Sequence, residues 1–159
     1  MRLSITPDFF ELIANHPSVY PYVTCKGFEG RITLGVGGEL PNNCLGLEFD
    51  TGGFFLVELR PRVYEVHTLF LPKSERVVEK AMDALDLMFP LLADELVTMV
   101  PADLPHAKRL ALKMGFQFTH RDPDGWERDS GPVDLDHFRL TCTEHMERVR
   151  CQSSQPSPQ

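Results

Sequence analysis

The sequence has no run of about 18 consecutive apolar residues, the minimum for an apolar helix that crosses a bilayer, so a helical membrane span is excluded. It also lacks a basic excess. Lys and Arg number 16 against 23 Asp and Glu, for a net charge of −7. That balance disfavours nucleic acid and anionic lipid as partners, and a polyanionic cofactor would have to find local donors. No Cys-x-x-Cys pair occurs among Cys25, Cys44, Cys142 and Cys151, and the histidines are scattered. A zinc knuckle and a thioredoxin-like motif are therefore excluded, reduced thiols are expected, and no metal site is predicted. His16 reads as packing at a helix end beside Pro17. Tryptophan is scarce: Trp126 stands alone and is expected to cover a core edge. The opening stretch Met1 to Asp8 has no apolar centre of a secretion signal, which predicts a cytoplasmic chain.

What is present is an ordinary globular composition, 42% apolar and 25% charged over 159 residues, enough for one domain with a core of its own. Thr6-Pro7-Asp8 opens a helix, with Thr6 as the cap and Pro7 at the first position, and Pro17 ends it. Ser18 to Pro41 is rich in Gly and Pro and reads as loops, with a short strand or helical turn near Arg31–Leu34. Cys44–Asp50 and Phe54–Arg60 flank Thr51-Gly52-Gly53 as a hairpin, and Val63–Leu71 follows as the strongest strand.

Beyond Pro72 the period changes. Val77, Val78, Ala81, Met82, Leu85, Met88 and Phe89 make one apolar helical face, with Glu79, Lys80, Asp83 and Asp86 opposite. Leu96–Val100 is a strand. A second helix places Ala107, Leu110, Ala111 and Met114 inward and Lys108, Arg109 and Lys113 outward, ending at Gly115. Phe116–Thr119 reads as a strand, Asp122–Gly125 as a turn and His137–Cys142 as a last strand. Residues 1–142 are thus expected to form one domain. Residues 143–159 then supply a short helix to Arg150 and a tail that is disordered or ordered by a partner. The fold class is α/β of the α+β kind, a mixed sheet with helices on its faces.

Several segments, in this order and spacing, resemble the GNAT superfamily of acyl-CoA-dependent N-acetyltransferases, and most of all a branch of short bacteriophage and prophage proteins. They are Asn15-His16-Pro17, Gly52-Gly53-Phe54, Tyr64-Glu65-Val66-His67-Thr68, Phe70-Leu71-Pro72, Val100-Pro101 and Gly115-Phe116, spread from Thr6 to Arg128. The resemblance implies a mostly antiparallel central sheet flanked by helices. It further implies transfer of an acetyl group from acetyl-CoA to an amine that attacks the thioester directly.

Four tasks follow: hold the pyrophosphate, deprotonate the ammonium, stabilise the oxyanion and protonate the leaving thiolate. For deprotonation the resemblance points to Glu65 or His67, which lie two apart on one strand and so share a face. A backbone N–H between Leu69 and Leu71 would face the oxyanion. The pyrophosphate would lie on the loop Leu71-Pro72-Lys73-Ser74-Glu75-Arg76, where Lys73 and Arg76 bring charge and Ser74 can cap the next helix. That loop contains no glycine, although the pattern it resembles is glycine-bearing. The positions matching the pattern's thiolate-protonating tyrosine and cofactor-contacting asparagine are Ala111 and Leu104.

These departures leave two expectations open. One is an N-acyltransferase with acyl-CoA and an amine as partners, in the host cytoplasm. The other is a non-catalytic scaffold of the same fold, an internal or capsid-related component packaged in the phage virion, with virion proteins as partners.

Overall fold

The computed structural model describes residues 1–153. Arg2–Ser4 is a short strand, β1; Asp8–Ala14 is helix α1 and Tyr20–Val23 a single turn, α2. Cys44–Phe49 (β2), Gly52–Arg60 (β3) and Val63–Phe70 (β4) form the expected meander. Val77–Leu91 (α3), Glu95–Pro101 (β5), Pro105–Met114 (α4), Gln117–Arg128 (β6), Gly131–Thr141 (β7) and Cys142–Ser153 (α5) follow. The seven strands form one sheet in the order β1-β2-β3-β4-β5-β7-β6. Every neighbouring pair is antiparallel except β4 and β5, which run parallel across the α3 crossover. The sheet is therefore mixed and mostly antiparallel, with helices packed on it.

Period-two alternation sends β4 side chains to two different cores. Tyr64 and Val66 join Leu47, Phe54, Leu56 and Leu96 under α3 and α4. Leu69 joins Phe55, Phe10, Ile13 and Val19 under α1 and its following loop. Phe10 is fully buried and packs so close to the strands that a Cβ on Gly46 would strike its ring.

Four local expectations are corrected. Thr6 does not cap α1; the position before the helix is Pro7, and the Thr6 hydroxyl lies 3.2 Å from Ser4 Oγ. Ser74 does not cap α3; its hydroxyl donates to the Leu71 carbonyl at 2.6 Å, and Arg76 stands at the helix start. Residues 31–34 form neither strand nor helix, because side chains of α1 and its end take their backbone groups. The Asn15 amide exchanges two 2.8 Å bonds with Ile32, and the Leu34 N–H donates to Glu11 at 2.8 Å. Finally, Asp122–Gly125 does not end a strand. It is a bulge inside β6, where the pairing jumps from Asp122 with Leu135 to Trp126 with Val133. Asp124 takes φ 53° there, its N–H bonded to Asp134 Oδ1 at 3.1 Å.

The closing helix α5 docks on the body. Buried His145 lies 2.9 Å from Asp86 and stacks on Phe89 with centroids 5.1 Å apart. α5 also runs past the expected Arg150 to Ser153. The rest of the expected tail, 154–159, lies outside the described residues. No helix among the described residues is long and apolar enough to cross a membrane.

Candidate active site

A gap in the sheet makes the site. β4 and β5 pair only from Val63 with Glu95 to Glu65 with Val97. One further link, from the Thr98 hydroxyl to the Val66 carbonyl at 2.9 Å, closes the seam. Beyond it β5 stays with β7 while β4 stays with β3, and the strands part around a cleft of about 1520 Å³. Glu65, His67, Leu69, Leu71, Lys73 and Ser74 all line it.

Glu65 and His67 do share a face. Glu65 Oε1 is 3.4 Å from His67 Nε2; the carboxylate is largely buried, whereas the imidazole opens onto the cleft. Desolvation by the cleft walls pushes the His67 pKa below the ordinary histidine value, and the Glu65 carboxylate pulls it partly back. A neutral imidazole at neutral pH is the result, ready to accept a proton.

Ladder alternation decides which backbone groups are available. The Leu71 N–H donates to Thr51 at 2.9 Å, toward β3, and Leu69 faces the same way because it is paired with Gly53 on the same phase. The Val66 carbonyl points to the β5 side, so the N–H groups of Thr68 and Phe70 do as well, where β5 has already diverged. Within the stretch from Leu69 to Leu71, the cleft-facing N–H is thus that of Phe70. Leu69 contributes a buried apolar side chain to the wall.

The glycine-free loop has an unexpected backbone. Lys73 (φ 65°) and Arg76 (φ 54°) both lie in the left-handed region, which normally costs a non-glycine residue about 1–2 kcal/mol. The loop therefore bends as glycines would let it bend, with two cations at the bends. No side chain caps α3, so its first N–H groups stay available where Val77 and Val78 line the cleft. Arg76 is not in the lining; its exposed guanidinium is 3.9 Å from Glu79.

Helix α4 forms the opposite wall. Leu104 and Ala111 line the cleft, so the two departures from the resemblance are apolar contacts within it. Arg109 and Lys113 point to solvent as expected, yet both stand at the cleft rim, as does His106. The helical period alone hid them, because it separates core from solvent and says nothing about which solvent-facing residues border a gap. Arg31, Tyr22 and Phe28, from the loop-rich segment, and Trp126, from β6 beyond its bulge, complete the mouth. Only the folded chain brings them there.

No protein-family model matches the chain, and no curated protein matches it. Solved structures do. Spermidine N-acetyltransferase SpeG from Vibrio cholerae, in complex with CoA and spermine, superposes with a TM-score of 0.67 at 14% identity, covering 91% of this chain and 98% of that one. A mutant form of the same enzyme gives 0.56 at 18% identity, over 62% of this chain and 61% of that one. A probable acetyltransferase gives 0.55 at 17% identity, over 64% and 62%. The chain has the GNAT fold. In the last two comparisons the match spans about three fifths of the neighbour's length. With the GNAT fold in place, the β4–β5 gap, the uncapped α3 and the α4 wall bound a single cleft.

Proposed function

We propose that this GNAT-fold protein is an N-acyltransferase that moves an acetyl group from acetyl-CoA to an amine held in the β4–β5 cleft. The observation that carries the proposal is the placement of the Glu65–His67 pair, 3.4 Å apart, at the point where the strands separate. An amine entering there as its ammonium loses a proton to this pair, directly or through water, and the freed nitrogen attacks the thioester carbonyl. The Phe70 N–H donates to the oxyanion that develops. Collapse, with loss of the second nitrogen proton to solvent, forms the amide and releases the CoA thiolate, which takes a proton from solvent. Ala111 has no proton to give.

The acyl donor is a polyanion in a protein of net charge −7, so local cations must hold it. Lys73, Arg109 and Lys113, together with the uncapped α3 N-terminus, supply that charge. Arg76 contributes through its left-handed backbone and not by lining the cleft. The acceptor is inferred to be an amine with an apolar or anionic remainder, since Tyr22, Phe28 and Arg31 border the mouth and Glu65 is the single acidic residue of the lining.

Calorimetry with acetyl-CoA, followed by CoA-thiol release over a panel of amines, tests the proposal. The expected result is micromolar binding, with turnover lowered about 10²–10⁴-fold in Glu65→Gln or His67→Ala. Absence of binding at millimolar acetyl-CoA overturns it and leaves the virion-scaffold alternative to be tested on purified particles.

A further inference from the structure

We infer that His120, Asp122 and His137 form a site for a divalent transition-metal ion of the zinc class on the outer half of the sheet, independent of acyl transfer. The sequence gives no hint of it, because the two histidines are far apart in the chain. The pairing of β6 with β7 brings them together. A register shift between Phe118 and His120 sets His120, and not Thr119, opposite His137. The imidazoles then stack 4.1 Å apart at 17°. Asp122, on the same face of β6, lies 2.8 Å from His137 Nε2 and 3.7 Å from His120 Nε2. The three ligand atoms lie within 4.8 Å of one another. Tetrahedral zinc, with bonds of about 2.0–2.1 Å, needs its donors about 3.4 Å apart. The observed spread needs only small side-chain rotations to reach that.

The hydrogen-bond network gives a second, independent reason. The Thr119 hydroxyl donates to the His137 carbonyl at 3.1 Å, which uses its only proton. It must therefore accept at its 3.0 Å contact with His120 Nδ1, so that nitrogen carries the hydrogen. In the neutral ring Nε2 is then left with a lone pair, 3.7 Å from an Asp122 oxygen that is also only an acceptor. A cation placed between these two acceptors satisfies both at once. Thr119 thus has the place of an outer partner that fixes the ligating tautomer.

Two imidazoles and one carboxylate match zinc, cobalt or nickel and not magnesium or calcium, which favour oxygen-only sites. His120 and Asp122 are solvent-facing, so an ion can enter and still hold water. The site borders a small hollow whose lining also includes Thr98, Met99, Arg139 and Glu65.

The test is titration of the full, tag-free chain with Co²⁺, read by visible absorption, and with Zn²⁺ by calorimetry. Cys25 and Cys151 are exposed thiols that compete for Zn²⁺ and are replaced by serine in every sample. We expect one ion per chain and no response to Mg²⁺. His120→Ala and Asp122→Asn should each weaken binding at least ~10-fold, and Thr119→Val about 10–100-fold, as outer partners do. Circular dichroism should stay unchanged, because His120 and Asp122 stand at the surface. Equal affinity in the parent, His120→Ala and Asp122→Asn, or no cobalt spectrum at millimolar ion, overturns the inference. Ring resonances of His120 and His137 that stay unmoved in NMR spectra on addition of Co²⁺ also overturn it.

Discussion

Two residues hold opposite positions at the mouth of the cleft: Glu65 is largely buried and His67 faces the opening, and the Glu65 carboxylate acts on the imidazole. Burial lowers the His67 pKa and the Glu65 carboxylate opposes that shift. The catalytic consequence has a sign. If His67 is the base, the acid limb of kcat/KM lies below the ordinary histidine value of about 6.5. Glu65→Gln removes the opposing carboxylate and moves that limb to still lower pH, while His67→Ala abolishes it. If Glu65 is the base, Glu65→Gln abolishes the limb instead, so a pH–rate profile of the two variants assigns the role. The linked stability has the same direction. A histidine whose folded pKa is depressed stabilises the fold above its unfolded pKa, and that contribution is lost as pH falls through the folded one. At the same scale, Gly46→Ala drives a methyl into the fully buried Phe10 ring and should cost about 1–3 kcal/mol, read as a lower urea midpoint.

At the scale of elements, the ends matter more than the middles. α5 begins with a reciprocal cap: the Glu144 carboxylate accepts from the Thr141 N–H at 2.8 Å and from its hydroxyl at 2.6 Å, and the Glu144 N–H lies 3.3 Å from that hydroxyl. These bonds hold the Glu144 pKa below its ordinary value, the Thr141 hydroxyl foremost. Thr141→Ala should therefore cost about 1 kcal/mol in thermal unfolding, with the loss shrinking as the pH falls through the carboxylate range. The α3 loop makes the opposite case. Lys73→Gly relieves a left-handed Cβ but frees the unfolded chain, two terms of about 1 kcal/mol that nearly cancel. Thermal stability should hold while acetyl-CoA affinity drops severalfold; a large fall in stability would contradict the strain assigned to Lys73.

Elements of this kind were unequally legible. The meander, α3, β5 and α4 follow from apolar periodicity, because each buries one face. The cap Thr141-Cys142-Thr143-Glu144 is present as a pattern in the sequence but overlaps the expected strand end, which hides it. The continuation of β6 through Pro123 and Gly125 was not legible, since a bulge and a turn use the same residues and only pairing with β7 separates them. For the site, the shared face of Glu65 and His67 could be read from spacing. The cleft-facing N–H of Phe70 could not, because it depends on which ladder bonds β3 takes.

At the scale of the whole molecule, charge is distributed against the average. The chain is net negative, yet Arg31, Lys73, Arg109 and Lys113 border the cleft and Glu65 is its one acidic residue. Acidic groups are meanwhile partnered elsewhere: exposed Asp94 with Arg62 at 2.9 Å and Asp50 with Lys80, and buried Asp136 with Arg121 and Lys108 at 2.6 Å each. A neighbour of the same fold was solved with CoA and spermine, a polycation. Such a ligand in this cleft would meet one carboxylate and several like charges, each like-charge contact acting against it. An amine with one cationic nitrogen and an apolar or anionic remainder would instead place its nitrogen at Glu65 and the remainder against Tyr22, Phe28 and Arg31. Competition kinetics should thus rank phenethylamine or an amino-acid amine above spermidine by at least ~10-fold in kcat/KM. Arg31→Glu should narrow that gap by improving spermidine and harming the anionic acceptor, with the strongest effect at low ionic strength. A preference for spermidine in the parent chain would mean that the basic rim serves only the acyl donor and that the acceptor reaches Glu65 by another side of the cleft.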